Sequence, residues 1–196
     1  VAEAPVTKIQ RVAVIGAGQA GRRFALKCAR AGFDVILEDV MPANLRRAQA
    51  EFADLTGQMG PGSMAFALTV EDAVRDADIA IDFVPDELES KLEIFCLIDR
   101  MAPPKTALCT PSEALSITDL ASCTYRGDRC FALRGDLAAG QGIRLLHPED
   151  ASTIALDQVQ QLFAVLGFDV TAEPDPDVPM LVKNFTLSAT LTEPSS

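Results

Sequence analysis

Arg11-Val-Ala-Val-Ile15, then Gly16-Ala-Gly18-Gln-Ala-Gly21, then the run down to Asp39, decide the fold of this 196-residue chain. Apart from Arg11, the first five residues are small or branched apolar side chains, as in a strand buried on both faces. They lead through three glycines into a helical pattern over 22–31, which Gly32 stops. Phe33-Asp-Val-Ile-Leu37 is a second apolar strand, closing on Glu38 and Asp39. Gly16 permits the tight turn, Gly18 lets the backbone approach a pyrophosphate, and Gly21 lets the helix pack close to the sheet. Gln19 and Ala20 lie in this loop beside the helix N-terminus, where free N–H groups and the helix dipole favour phosphate charge. Asp39, 18 residues past Gly21, is placed to accept hydrogen bonds from the adenosine ribose. A carboxylate there repels a 2′-phosphate, so the expected cofactor is NAD rather than NADP.

Outward from this stretch the chain keeps alternating. Pro42 opens a helix to Leu55 with Leu45, Ala48 and Phe52 on one face. Arg46 and Arg47 read as a solvated face, and 57–63, with Gly60-Pro-Gly62, as a loop. Strands are expected at 64–69, 78–84, 105–109, 129–133, 143–147 and 168–171, with helices at 71–76, 86–101, 116–121 and 152–166. In the last helix Ile154, Val159, Leu162 and Val165 should face inward. The proline- and acid-rich run 173–179 should be irregular. This order predicts an α/β, Rossmann-type, doubly wound and mainly parallel sheet in one domain, with a small mixed C-terminal extension. Ligands on such sheets bind at the carboxyl ends of the strands. That gathers Gly16–Gly21, Asp39, Val84–Glu87 and Thr110–Glu113 around one crevice. Residues 1–7 form an N-terminal lead, 8–184 the domain and 185–196 a tail.

Composition bounds the rest. With 48% hydrophobic and 23% charged residues the chain is an ordinary globular protein. Its formal net charge of −11 repels nucleic acid and anionic membranes, so neither is an expected partner. The five cysteines (28, 96, 109, 123 and 130) make no C-x-x-C pair and are expected as reduced, buried thiols of a cytoplasmic protein. A single histidine and no cysteine cluster leave no metal site to expect. No apolar run reaches the roughly 18 residues of a membrane span, and no signal peptide is apparent.

With the whole order in view, the chain resembles the NAD-binding domain of the 3-hydroxyacyl-CoA dehydrogenase family from about Lys8 to Asn184. The resemblance rests on Val12-Ala-Val-Ile-Gly-Ala-Gly-Gln-Ala-Gly21, Val35-Ile-Leu-Glu-Asp39 and Ile81-Asp-Phe-Val-Pro-Asp-Glu-Leu-Glu-Ser-Lys91. Ala102-Pro-Pro104, Leu115-Ser-Ile-Thr-Asp-Leu-Ala121 and Asp177-Val-Pro-Met-Leu-Val-Lys-Asn184 extend it, with Met180 in place of a family glycine. It implies hydride transfer between NAD and a 3-hydroxyacyl-CoA in fatty acid metabolism. The implied partners are an acyl-CoA-like small molecule and, through the family's C-terminal helical domain, a second copy in a homodimer. That helical domain is read as absent after Asn184. The resemblance also places Asp86 and Lys91 near the nicotinamide. From the residues alone, Lys91 reads equally well as a helical ion-pair partner of Glu87, four positions earlier.

The family's catalytic pair is where the likeness fails. A histidine acts there as general base, oriented by a glutamate. Arg134 occupies the histidine position, and His147 falls at the glutamate, allowing a one-residue insertion. The family's substrate-binding N-T-S segment has become Pro111-Ser112-Glu113, which makes Ser112 a positional match. Arginine stays protonated and cannot accept the hydroxyl proton. His147 is open to two readings, a replacement base or a strand-end residue that hydrogen-bonds locally. Arg134 reads as an ion-pair partner of Asp136 or a grip on an anion near the cofactor. The expectation is an NAD-binding protein with altered catalysis, a silent NAD-binding sensor or interaction module being the alternative.

Overall fold

The computed structural model describes residues 9–55, 62–140 and 142–176. The lead 1–7, most of the 57–63 loop, the 177–184 segment of the resemblance and the tail 185–196 lie outside the described residues. Eight strands run in chain order: β1 Arg11–Ile15, β2 Asp34–Glu38, β3 Ser63–Ala67, β4 Ile79–Asp82, β5 Ala107–Pro111, β6 Cys130–Arg134, β7 Ile143–His147 and β8 Val170–Pro174. Among the described residues six α-helices and a short 3-10 helix at Gly127–Arg129 connect them: α1 Gln19–Arg30, α2 Pro42–Leu55, α3 Val70–Val74, α4 Leu88–Met101, α5 Ile117–Ser122 and α6 Thr153–Val165.

The strands form one sheet in the order β3-β2-β1-β4-β5-β6-β7-β8. Every neighbouring pair is parallel except β6 and β7, which supply the mixed extension. Alternation along each strand sends side chains to two separate cores. Val12, Val14, Val35, Leu37 and Ile81 pack with α1, α2 and α6 through Phe24, Ala48 and Phe163. Ala13, Ile15, Ala80 and Leu108 pack on the other face with α3, α4 and α5 through Val74, Phe95 and Leu120. Helices on both faces are what allow the central strands to be apolar throughout. The chain leaves β1 toward β2 on one side and returns to β4 on the other. The crevice over the carboxyl ends of β1 and β4 is therefore a topological switch point.

Several expectations shift in detail. α1 begins at Gln19 and not at 22, so Gln19 and Ala20 are its first residues. β4 stops at Asp82 and α4 starts at Leu88, leaving 83–87 as the loop over the crevice. In α6, Ile154 and Val165 are 54% and 53% exposed, and Ala155, Val159, Leu162 and Phe163 face inward instead. Once Phe163 joins the face, the stripe rotates and leaves the two flanking aliphatics outside. β8 reaches Pro174, so the acidic proline run begins inside a strand, at the sheet edge where proline costs no ladder bond. All five thiols are free, but only Cys28, Cys109 and Cys130 are buried, while Cys96 is half-buried and Cys123 exposed. Among the described residues, no helix is long and apolar enough to cross a membrane.

Candidate functional site: a glycine-lined cleft at the switch point

Gly16 leaves β1 with φ of 97°, a left-handed value that favours glycine, and its amide donates to the Glu38 carbonyl at 2.9 Å. A Cβ on Gly21 would stand 1.9 Å from the Gly16 carbonyl oxygen, so α1 can approach β1 only with glycine there. A Cβ on Gly18 would meet nothing within 4 Å. No packing constraint demands a glycine at 18; the bare backbone simply faces open space. Gly18 is also the N-cap of α1 and offers no side-chain cap, and no acidic residue occupies the first turn. The first-turn amides have no intrahelical acceptor and form a place for an anion.

Asp39 is buried and works structurally. Its carboxylate accepts from the Ala17 amide at 2.8 Å, the Met41 amide at 2.7 Å and Asn44 Nδ2 at 3.0 Å. These bonds tie the glycine loop to the start of α2. A carboxylate offers about four acceptor positions, so about one is left for a ribose hydroxyl. Arg22 braces the same loop, with Nη1 donating to the Ala17 carbonyl at 2.9 Å and Nε paired with Glu51 at 3.2 Å.

Two clefts meet at this loop. The first, of about 500 Å³, is lined by Gly16, Gly18, Glu38, Asp39, Phe83 and Val84 among others. The second, of about 580 Å³, lies on the other side of the α1 N-terminus and is lined by Gln19, Ala20, Phe83 and Leu137. Phe83 borders both. Gly16, Gly18, Gln19 and Ala20, together with Asp39 and Val84, thus border this pair of clefts, whereas Gly21 lines neither and packs against the Gly16 carbonyl.

Beyond Phe83 the arrangement departs from expectation. Lys91 is 1% exposed, and its Nζ bonds Asp82 Oδ1 at 2.7 Å, not Glu87. Burial pushes the Asp82 carboxyl up, and the charge and hydrogen bond of Lys91 hold it down against that. Asp82 was not singled out from sequence. Its signal was present, as the one carboxylate ending an otherwise apolar strand, nine positions before the lysine. Asp86 is exposed and accepts from the Glu113 amide at 3.1 Å, while Glu113 accepts from the Gly135 amide at 2.8 Å. These contacts link the ends of β4, β5 and β6 along the rim.

Ser112 is buried, its Oγ accepting from the Leu115 amide at 3.0 Å. Arg134 ends β6 at this edge, with Nη2 donating to the Leu115 carbonyl at 3.3 Å. Asp136, the ion-pair partner expected for it, instead accepts from the Ala138 and Ala139 amides. His147 is not brought to Arg134. β7 runs antiparallel, so Arg134 pairs with Arg144, and His147 lies one residue past the Ala132–Leu146 pair. Its Nδ1 is 2.8 Å from the Pro148 carbonyl. Among the described residues no group of three or more metal-ligating side chains forms.

Residues 11–134 match the family described as 3-hydroxyacyl-CoA dehydrogenase, NAD binding domain. The chain belongs to this family. As a 3-hydroxyacyl-CoA dehydrogenase NAD-binding domain its cofactor is NAD, and the open face of Gly18 and the uncapped α1 N-terminus fit that group. The chain is 31% identical to a probable 3-hydroxybutyryl-CoA dehydrogenase of Bacillus subtilis, over 64% of this chain and 48% of that one. It is 26% identical to the 5-formyl-3-hydroxy-2-methylpyridine 4-carboxylate 5-dehydrogenase of Mesorhizobium japonicum, over 94% of this chain and 63% of the relative. A solved diketoreductase structure superposes with a TM-score of 0.77 at 25% identity, over 94% of this chain and 73% of that one. The chain thus spans about half to two thirds of the length of these curated relatives.

Proposed function

We propose that this chain is the dinucleotide-binding part of an oxidoreductase acting on a 3-hydroxyacyl thioester, with proton chemistry unlike that of its relatives. The observation that carries the binding half is the glycine loop. Gly21 is forced by packing, whereas Gly18 is left open toward the cleft. In this reading the α1 amides hold the diphosphate, Asp39 takes a ribose hydroxyl, and Val84 and Phe83 wall the two halves of the groove. Asp86 and the Asp82–Lys91 pair lie toward the nicotinamide side and keep the β4–α4 loop in shape. NAD bound there supplies the hydride acceptor. Free thiols and the CoA thioester named for one relative accord with a cytoplasmic role in acyl-CoA metabolism.

The altered chemistry follows from Arg134. A guanidinium at the carboxyl end of β6 cannot take the hydroxyl proton, and the chain's one histidine lies on the neighbouring strand away from it. General-base catalysis contributes about 10²–10⁴-fold, so losing it leaves slow turnover at most. Arg134 favours a second reading, a catalytically silent NAD-binding module. NADH oxidation with acetoacetyl-CoA separates the two. Slow turnover that responds to Arg134→Ala supports an altered enzyme, and no turnover in a chain that binds NADH supports the silent module. Turnover at the rate of the histidine-bearing relatives, indifferent to Arg134→Ala, contradicts the altered-chemistry claim.

A further inference from the structure

The first cleft contains a carboxyl that nothing described so far uses. Glu38 is the last residue of β2, is 3% exposed, and has an Oε1 without a hydrogen-bond partner among the described residues. It lines the cleft beside Asp39 but turns to the opposite face of the strand end, toward the side built by α3 and α4. There Ile15, Val70, Val84, Ile94 and Leu97 complete an apolar slot. An adenosine whose ribose sits at Asp39 would place its base in this slot. A flat ring suits the apolar walls, and a ring bearing acceptor nitrogens and an amine would satisfy the buried carboxyl.

We propose that Glu38 recognises the adenine of the bound dinucleotide through its neutral carboxyl. The O–H donates to a ring nitrogen and the carbonyl oxygen accepts from the exocyclic amine. A protonated carboxyl is both donor and acceptor, the combination with which asparagine and glutamine pair with adenine. The surroundings favour the neutral form of Glu38. Asp39, just past β2, and Glu93 from α4 are the other titratable groups lining the cleft among the described residues, both acidic, and none of the lining residues is a cation. Burial raises the Glu38 carboxyl to about 7, the Asp39 charge adds to the rise, and the Gly16 amide opposes it. Binding of the adenosine half therefore weakens as Glu38 ionises.

This inference rests on the dinucleotide reading, and the experiment separates the two. NADH binding is titrated between about pH 6 and about pH 8.5, with AMP and nicotinamide mononucleotide as competing probes. The wild type should lose about tenfold in affinity for NADH and AMP across that range, as a hydrogen bond of base recognition is removed. Nicotinamide mononucleotide should not follow this profile. Glu38→Gln should keep tight binding and flatten the profile, because the amide donates at every pH. Glu38→Leu, an apolar change in an apolar slot, should bind weakly at both ends of the range. A flat wild-type profile, or a Glu38→Leu variant that binds like wild type, overturns the role of Glu38 while leaving the dinucleotide site standing. No NADH binding at any pH overturns both.

Discussion

Gly21 and Gly18 stand three residues apart, and opposite constraints act on them. Gly21→Ala puts a methyl group 1.9 Å from a backbone carbonyl that cannot rotate away. It should cost about 1–3 kcal/mol or more, read as a lower midpoint in urea unfolding. Gly18→Val should lower that midpoint far less, since no protein atom stands within 4 Å of its Cβ. Asp39→Ala is less informative about ligand binding, because it also removes three hydrogen bonds that hold the loop and α2 together. That double duty was hidden from the sequence. An acid at the end of the second strand is legible as a ribose partner, but amide contacts from Ala17 and Met41 depend on how the loop closes. Glu38 was equally visible as a letter, yet only the fold shows that its carboxyl is buried in the cleft.

Elements differ in how plainly the chain announces them. The parallel strands are short apolar runs bounded by glycine, proline or acid, and period and length suffice to find them. Direction is not encoded in hydrophobicity, and the antiparallel turn into β7 is what carries His147 away from Arg134. The partner of Lys91 was missed for a similar reason. Neighbours four apart on a helix are legible, whereas Asp82 belongs to the strand before the loop. This pair joins β4 to α4 in an apolar setting, and Asp82 is fully buried. Lys91→Met leaves a carboxylate in the core without its cation and should cost about 3–5 kcal/mol, whereas the double change Asp82→Leu/Lys91→Met should cost much less. A double-mutant cycle by urea unfolding checks this, and additive costs would contradict a coupled pair.

The whole molecule responds to both protons and ligand. Glu38 ordinarily titrates at 4.5, and the fold raises it to about 7. The folded chain therefore binds this proton more tightly than the unfolded one. Its contribution to stability is full below about 4.5, falls as pH rises toward about 7, and is constant above that. Glu38→Gln should remove this slope from the unfolding free energy between those limits. Asp78 acts in the opposite sense. Burial would raise its carboxyl, but Lys105 and the amides of Arg11 and Gln10 outweigh it and hold it below its usual range. Its stabilisation is present above the unfolded value and is lost as acid titrates the folded carboxylate. NADH at about a hundred times its Kd should add about 2.7 kcal/mol and raise the melting temperature by about 5–10 °C.

The most direct test of the account is a titration with NADH followed by nicotinamide fluorescence, wild type beside Gly18→Val, with the melting temperature of each recorded. Saturable binding to the wild type and none to the variant is expected, with both folded and closely similar in melting temperature without ligand. A folded wild type that does not bind, or a variant that binds as well, would contradict it.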